Sequence, residues 1–310
     1  MPDAELVGFH EANAERAAKV ASELGVRAVP TLEALLDAVD AATIVVPTPA
    51  HFAVASKALE QGKHLLIEKP IAATLDEADA LLAIAARTGA LVQTGHVERF
   101  NRALRAARPY IEAPRFVESN RLAQFNPRGS DVAVVLDLMI HDIDLVRTLV
   151  GGRVGAVAAV GVPVLTPFVD IANARIDFES GAVANITASR VSRERMRKLR
   201  IFQPSGYMSL DLGSGHGEFY RVRHDVDVTE LVKSGAGMEG LVERIPLDAP
   251  EGEPLRLEFE SFLAAVRGEA PVAVSGRDGR EALAVALTIV QEIERTLPAL
   301  APGMAAAHRA

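Results

Sequence analysis

The chain lacks several features that would direct it to particular chemistry. It has no cysteine, which excludes disulfides, thiolate metal sites and cysteine nucleophiles. It has no apolar run long enough to span a membrane, and its first residues, MPDAE, do not form a signal peptide. Basic residues number 33 against 41 acidic ones, and the net charge of −8 disfavours a nucleic-acid partner. We therefore expect a cytoplasmic protein that binds neither nucleic acid nor membranes.

The N-terminal third of the chain alternates short apolar runs with helical periodicity. The predicted strands are residues 5–9, 43–46, 64–67 and 91–94, and the predicted helices are residues 11–24, 32–39, 50–61 and 75–86. Short connections between such elements are typical of a doubly wound parallel α/β sheet. A length of 310 residues allows about two domains, and we assign the first of them to residues 1–97.

The pattern changes over residues 98–310, which we assign to a second domain. Helices are predicted at residues 98–111, 137–146, 255–267 and 279–297. Strands with a period of two are predicted at residues 115–125, 171–178, 182–191, 198–202, 207–212 and 218–222. Residues 225–254 read as a loop with one short strand, and the tail after Pro298 as a frayed end. This order predicts an α+β domain with a large, mostly antiparallel sheet.

In a doubly wound sheet, ligands bind beyond the carboxyl ends of the strands. The residues that follow the predicted strands are Glu11, Pro47, Thr48, Glu68, Lys69, Pro70 and His96, and their loops form the candidate cofactor crevice. A dinucleotide fold begins with G-x-G-x-x-G, followed about 20 residues later by an acid that binds the ribose. If Glu11 is that acid, the glycine-rich loop would precede Met1, so we predict an N-terminally truncated Rossmann domain.

One literal match to the glycine motif occurs at residues 235–240, GAGMEG. The residues after it, LVERI, are strand-like and end at Pro246, so they offer no helix N-terminus to a pyrophosphate. We interpret this match as a loop without a role in cofactor binding.

Three acids and a histidine lie in the apolar helical stretch at residues 137–146. At about 3.6 residues per turn, Asp137, His141 and Asp144 share one helix face. A carboxylate one turn from an imidazole can fix its tautomer and raise its basicity, which suits a general base. The alternative is a structural helix with solvated acids and one satisfied histidine. A metal site is disfavoured, since a single imidazole is present without a completing cluster.

Three segments are more specific together than any one of them alone: GKHLLIEKPI at residues 62–71, the helix of Asp137, His141 and Asp144, and LRLEFESF at residues 255–262. Together they resemble the signatures of the Gfo/Idh/MocA family of sugar oxidoreductases. The resemblance implies an NAD(P)-dependent enzyme that oxidises a secondary hydroxyl of a sugar. The chain departs from the family pattern in having no glycine-rich loop at its start.

The resemblance also implies roles for individual residues. Lys69 would hold the reacting hydroxyl, His141 would move its proton, and Asp137 would orient or share that proton. The Lys69-Pro70 peptide would be cis. These roles agree with the chemistry, because loss of a hydride and a proton from an alcohol requires a base and a cation at the oxygen.

Two further segments, residues 46–51 and 95–101, resemble the branch of the family that handles nucleotide-linked amino sugars. The first adds His51 to the cofactor residues. From the second segment we predict that His96, Arg99 and Asn101 bind the substrate, and we add Asp144 to these residues. A free sugar or inositol is the alternative substrate.

A basic run follows at residues 189–200 with six cations and one acid. Arginine forks suit a diphosphate, so Arg190 and Arg193 are candidates for the nucleotide end of such a substrate. The alternative is a solvated strand face or a subunit contact.

Two interpretations of the missing glycine loop remain. In the first, the coding sequence begins upstream of Met1 and the protein is an active dehydrogenase. In the second, the protein is a truncated, non-catalytic homologue that binds a sugar or a partner subunit. We favour the first, because a non-catalytic homologue has no need of Lys69 and His141. A homodimer or homotetramer is expected if one face of the second sheet is uncovered and apolar.

Overall fold

A computed structural model describes residues 4–127, 129, 132–223 and 240–297. Contacts divide the chain into two compact units, the first formed by residues up to His96 with Arg256–Arg280, and the second by Val97–Leu255 with the residues from Glu281. Residues 256–280 thus lie in the first unit, although the sequence analysis assigned them to the second domain. The domain boundary at residue 97 stays a prediction. No described helix is long and apolar enough to cross a membrane.

The first unit contains a parallel sheet with helices between its strands. Its elements are α1 (Ala14–Leu24), α2 (Leu32–Asp37), β1 (Ala41–Ile44), α3 (Thr48–Glu60), β2 (His64–Glu68), α4 (Leu75–Thr88) and β3 (Val92–Gly95). The strands lie in the order β1-β2-β3, and both pairs are parallel. The alternation seen in the sequence therefore predicted this part of the fold correctly, and all three strands end at the same edge.

Two predictions for the start of this unit are wrong. Residues 5–9 do not form a strand, because only Phe9 pairs, in an isolated parallel bridge to Ala28, and Leu6 is 73% exposed. The first helix begins at Ala14 rather than at residue 11, because the Asn13 side chain accepts the Arg16 N–H and caps the helix there.

The second unit begins with short helical turns and continues with strands around one long helix. Its elements are 3₁₀ turns at Val97–Phe100 and Arg108–Tyr110, α5 (Arg102–Ala107), β4 (Phe116–Leu122), a π-helical turn (Val135–Met139), α6 (Ile140–Val150), β5 (Val154–Val162), β6 (Ile171–Phe178), β7 (Val183–Ser189), β8 (Met196–Gln203), β9 (Gly206–Asp211), β10 (His216–Val222) and β11 (Val242–Leu247). The described chain closes with α7 (Pro254–Val266) and α8 (Gly276–Thr296).

An eight-stranded sheet organises the second unit in the order β11-β10-β9-β8-β4-β7-β6-β5. Every pair is antiparallel except β4 and β7, which confirms the predicted mostly antiparallel sheet. Alternate residues of β6, such as Ala174 and Ile176, are fully buried in a core shared with α6 and α8, whereas Asn173 and Arg175 between them are exposed. One face of the sheet therefore holds the core and the other is open.

Two further elements differ from the prediction, and two predicted segments lie mostly or wholly outside the described residues. The predicted helix at residues 98–111 is broken, because Asn101 caps α5 at its side chain and Pro109 ends it in a 3₁₀ turn. Strand β5 was not predicted, since its alanines and glycines have weak strand propensity and only pairing with β6 reveals it. The glycine match at residues 235–240 lies outside the described residues except for Gly240, and the tail after Pro298 lies wholly outside them. The strand-like run that follows the match is β11.

Candidate active site

Lys69, the predicted catalytic lysine, directly follows strand β2 in the first unit. Strand β2 ends at Glu68, whose carboxylate accepts the backbone N–H of Lys69 at 3.3 Å. The same carboxylate lies against Gly95, where a Cβ would come within 3.2 Å of it, so a larger residue there would displace Glu68. The Lys69-Pro70 peptide is cis, as predicted. His96 follows β3 and is buried, and its contact with a substrate stays a prediction.

The loop after β1 leads into α3, which has no side-chain cap at its N-terminus. Pro47 occupies the N-cap position of α3 and makes no side-chain cap, whereas Asn13, Thr31 and Thr74 cap α1, α2 and α4. In the first turn of α3, Pro49 has no N–H and the Ala50 N–H donates to Pro47 O at 2.8 Å, which leaves the Thr48 N–H for a ligand. This loop lies at the carboxyl end of its strand, where a doubly wound sheet binds its ligand, and contact of Pro47 and Thr48 with the cofactor stays a prediction.

His51, on the first turn of α3, was predicted to bind the cofactor. It is only 1% exposed, and its ring nitrogens face two backbone carbonyls, with Nδ1 2.9 Å from Pro70 O and Nε2 2.8 Å from Val46 O. Its direct contact with a cofactor stays a prediction, and the geometry engages both ring nitrogens with the protein.

Glu11, the predicted ribose-binding acid, precedes α1. Its carboxylate accepts the Asn13 N–H at 2.9 Å and the Arg16 Nε at 2.8 Å. The backbone hydrogen bond from Asn13, with a further contribution from Arg16, lowers the pKa of Glu11. The carboxylate is therefore ionised at neutral pH and able to accept hydrogen bonds from ribose hydroxyls, although Arg16 also donates to it. Ribose binding itself stays a prediction.

The predicted acid and base, Asp137 and His141, both belong to the second unit, but they do not lie on one uninterrupted α-helix. Asp137 lies in the π-helical turn Val135–Met139, and α6 begins only at Ile140, just before His141. The π turn interrupts the regular α-helix that the sequence predicted across Asp137 and His141, and the shared face of these two side chains stays a prediction. π turns inside helices occur frequently at functional sites. Both side chains are half-buried.

Two acids near the start of α6, Asp142 and Asp144, are fixed by buried arginines. Asp144 is fully buried, and both of its oxygens accept from Arg99, at 2.7 and 2.5 Å. Asp142 is 1% exposed and accepts from Arg121 at 2.6 Å and from Ser119 at 2.7 Å. These ion pairs hold the turn that carries His141. They favour a positioning role for Arg99 and Asp144, whose contact with a substrate stays a prediction.

Arg121 links this turn to a third acid. Its Nη1 donates to Glu98 at 2.8 Å, and Asn101 donates to the other Glu98 oxygen at 3.1 Å. Burial alone would lower the pKa of Arg121, but Asp142 and Glu98 raise it well above its ordinary value. Asn101 also donates to Leu212 O and caps α5, which leaves its predicted contact with a substrate a prediction.

Sequence reasoning missed Asp142, Glu98 and Arg121. The available signal for Asp142 was its place in an otherwise apolar helical stretch, because buried charges require partners. Glu98 and Arg121 lie among other polar residues, and no such signal marks them in the sequence. Their pairing could not be read from the sequence, since it depends on β4 lying beside α6.

The two arginines predicted for a diphosphate have different environments. Arg190 is 3% exposed, with Nε 2.7 Å from Asp170 and Nη1 2.8 Å from Gly129 O and 2.7 Å from Val132 O. Arg193 is exposed. Arg190 thus fixes the backbone before the π turn, and Gly129 in turn lies where a Cβ would approach the Asp137 carboxylate to 3.0 Å. A role for Arg190 in holding Asp137 is favoured, and diphosphate binding stays a prediction.

Asp170 is expected to make stability depend on pH. Burial would raise its pKa, but hydrogen bonds from Thr166, Arg190 and Leu165 outweigh burial and hold the pKa well below its ordinary value of about 3.9. A carboxyl with a lowered folded pKa stabilises the fold above its unfolded pKa, and this stability is lost as the pH falls towards the folded value.

The matched test is Asp170→Asn, which keeps the shape and one acceptor oxygen. At pH 7 we expect it to lower the free energy of unfolding by about 1–3 kcal/mol in urea denaturation. As the pH falls from about 5 to 3, the difference from wild type should shrink, because the unfolded wild-type chain takes up a proton at Asp170 that the folded chain does not, and the variant has no carboxyl to titrate. A difference that stays constant over this range would contradict the assignment.

An open cavity of about 670 Å³ lies on the sheet of the second unit at β8–β11, where Lys198, Asp211 and His216 are among its lining residues. It contains none of the predicted functional residues. Its cations already lie in ion pairs, Lys198 with Asp211 at 3.7 Å and Arg102 with Asp248 at 2.6 Å, so the cavity adds nothing to the candidate site.

Comparison with known families decides the assignment. The profile of the "oxidoreductase family, NAD-binding Rossmann fold" matches residues 1–96, and that of the "GFO/IDH/MocA C-terminal domain" matches residues 95–209. The chain belongs to the Gfo/Idh/MocA oxidoreductase family. This confirms the predicted family, the enzyme class and the NAD-binding Rossmann fold, and it does not favour a non-catalytic homologue.

Individual relatives narrow the comparison. The chain is 41% identical to the UDP-N-acetylglucosamine 3-dehydrogenase of Acidithiobacillus ferrooxidans over 94% of this chain and 91% of that protein. A solved structure of that enzyme matches with a TM-score of 0.87 and 40% identity, covering 96% of this chain and 92% of the other. The scyllo-inositol 2-dehydrogenase (NAD(+)) of Bacillus subtilis is 33% identical over 62% of this chain and 61% of its own length.

Proposed function

We propose that the protein oxidises the C3 hydroxyl of UDP-N-acetylglucosamine with NAD as the acceptor. The observation that carries this proposal is the 41% identity to a UDP-N-acetylglucosamine 3-dehydrogenase over 94% of the chain. The inositol dehydrogenase is less similar and matches a smaller part of the chain, 33% identity over 62%. A nucleotide sugar is therefore supported over a free sugar or inositol.

The chemistry of the proposed reaction assigns a task to three residues. When bound, NAD supplies an acceptor for the hydride that leaves the alcohol carbon. The ammonium of Lys69 donates to the reacting hydroxyl and stabilises negative charge on its oxygen. The imidazole of His141 takes the hydroxyl proton as the general base. Asp137 stabilises the protonated imidazole, which makes it an orienting partner of the base.

The proposed cofactor residues belong to the first unit. Thr48, the first residue of α3, contacts the cofactor through its N–H, and Pro47 shapes the loop that precedes it. Glu11 accepts the ribose hydroxyls. Glu68 and Pro70 shape the loop that presents Lys69.

The nucleotide end of the proposed substrate requires a cation that can reach it. Arg193 is exposed and meets this condition, whereas the Arg190 guanidinium is buried against Asp170. We therefore assign diphosphate binding to Arg193 and give Arg190 the task of holding the backbone near Asp137.

The test is a spectrophotometric assay of the purified full chain with NAD and UDP-N-acetylglucosamine. We expect NADH to form, and kcat/KM to exceed that for N-acetylglucosamine or myo-inositol by about 10²-fold or more, because binding energy from the nucleotide is lost with the smaller substrates. Equal or better turnover of a free sugar or an inositol would overturn the substrate. Absence of NADH with every substrate would overturn the enzymatic proposal for this chain.

We also propose that copies of the chain associate through the open face of the eight-stranded sheet. That face carries a row of aromatic rings on directly opposed positions, Phe116, Phe202, Tyr207 and Tyr220, with ring centroids 4.7–5.6 Å apart. Val160 and Val162 at the β5 edge are also exposed. Apolar surface of this kind favours a subunit contact. Light scattering on a sizing column should show a dimer or tetramer, and a monomer would contradict the proposal.

A further inference from the structure

The buried imidazole of His51 lies between two loops that the proposed reaction uses. Its Nδ1 is 2.9 Å from the carbonyl oxygen of Pro70, and its Nε2 is 2.8 Å from that of Val46. Val46 belongs to the loop between β1 and α3, and Pro70 to the loop after β2. The His51 side chain therefore contacts both the loop that precedes α3 and the loop that carries Lys69.

Hydrogen bonding explains why the ring holds this place. Buried backbone carbonyls require donors, and the His51 ring, which is 1% exposed, lies within hydrogen-bond distance of the carbonyl of buried Pro70 and of partly buried Val46. A neutral imidazole has one N–H and can donate to either carbonyl, whereas the imidazolium can donate to both. In each state the ring fills the space between the two loops and bonds to at least one of them.

The strands behind these loops are already aligned. Strands β1 and β2 are parallel neighbours, with Ile44 opposite Ile67, so their pairing fixes the backbone up to the strand ends. Beyond those ends the sheet no longer holds the chain. The His51 ring is the contact that continues the connection past Ile44 and Glu68 into the loops.

We propose that His51 is a positioning residue that couples the loop at Val46–Thr48 to the loop at Glu68–Pro70. The coupling holds the backbone at Pro47 and Thr48, which the proposed function places against the cofactor, in register with the backbone that presents Lys69. This inference rests on the proposed function, because it gives His51 its catalytic consequence through Lys69. It assigns His51 an indirect role in place of the direct cofactor contact predicted from the sequence.

The first test measures amide hydrogen exchange and requires no catalytic activity. His51→Phe keeps a planar ring of similar size and removes both nitrogens. We expect exchange to accelerate by about fivefold or more at Val46 and Thr48 and also at Lys69 and Ile71, as expected for loss of a hydrogen bond.

His64→Phe is the matched control, because it makes the same substitution at a histidine that also bonds to backbone. His64 begins β2 at the opposite end of the strand, and its Nδ1 accepts the N–H of Leu91 at 2.9 Å. Exchange should accelerate near Leu91 in this variant and stay unchanged in both loops. If His51→Phe accelerates exchange in one loop only, or if His64→Phe loosens both loops equally, the proposed coupling is wrong.

The second test asks whether the coupling matters for the reaction. We expect His51→Phe to weaken NADH binding in a fluorescence titration and to lower kcat by about tenfold or more, since small displacements of a positioned group are costly. His51→Gln, whose amide can donate to one carbonyl, should recover part of both losses and serves in the exchange test if the Phe variant does not fold. His64→Phe should keep kcat and NADH affinity within about twofold of wild type.

The outcomes separate the two proposals. Loosened loops with unchanged kcat and NADH affinity would overturn the positioning role. If wild-type protein shows no dehydrogenase activity, the proposed function fails, and the exchange comparison between the two histidine variants still decides whether His51 couples the loops.

Discussion

His141→Asn is expected to lower kcat by about 10²–10⁴-fold, the range typical of removing a positioned general base. Asparagine keeps a polar group of similar reach and introduces no bulk. The backbone around position 141 should stay in place, because Asp142 and Asp144 anchor the same turn through Arg121 and Arg99. The loss should therefore appear in the chemical step, with the KM for NAD changed little.

The control is His216→Asn, which makes the same substitution at an exposed histidine on β10. It should leave kcat within about twofold of wild type. The pH profile distinguishes a base from a structural residue: the rise of kcat/KM with pH that reports the base should be absent in His141→Asn. A His141→Asn enzyme that retains this rise, or that loses activity only through unfolding, would remove His141 from the proposed mechanism.

The sequence predicted the parts of the fold that depend on local pattern. Strand β2 with its following Glu68-Lys69-Pro70 was placed correctly, because a continuous apolar run bounded by Gly62 and Pro70 has few alternative conformations. The end of α6 at Gly151 was also predicted, since glycine there adopts a positive φ of 69° that ends the helix at low cost.

What the sequence did not predict depends on distant contacts. Strand β5 is poor in strand formers and is defined by its partner β6. The π turn around Asp137 has no sequence signature in its own residues, because an α-helical period fits them equally well. Arg190 and Arg193 are three residues apart in one basic run, yet only the first is buried, since Asp170 lies beside it. Charge pattern alone cannot separate a residue that holds the fold from one that faces a ligand.

Arg121→Met is expected to destabilise the second unit by about 3–5 kcal/mol, the cost of breaking a buried ion pair from one side. Methionine replaces the aliphatic part of the arginine and removes the charge. Asp142 and Glu98, both buried, would then lose the cation that now lies 2.6 and 2.8 Å from them. Urea denaturation at pH 7 measures the change in the free energy of unfolding.

The matched control is Arg197→Met. Arg197 is 3.7 Å from the same Glu98 oxygen, but its side chain is 55% exposed, so its loss should cost only about 0–1 kcal/mol. Adding Asp142→Asn to Arg121→Met should recover part of the stability, because one of the unpaired charges is then removed. If the two arginine variants are equally stable, burial does not govern this pair. The ion pair between Arg121 and Asp142 also anchors the helical turn that carries His141. Arg121→Met protein that remains folded should therefore have a lower kcat, whereas the kcat of Arg197→Met should be unchanged.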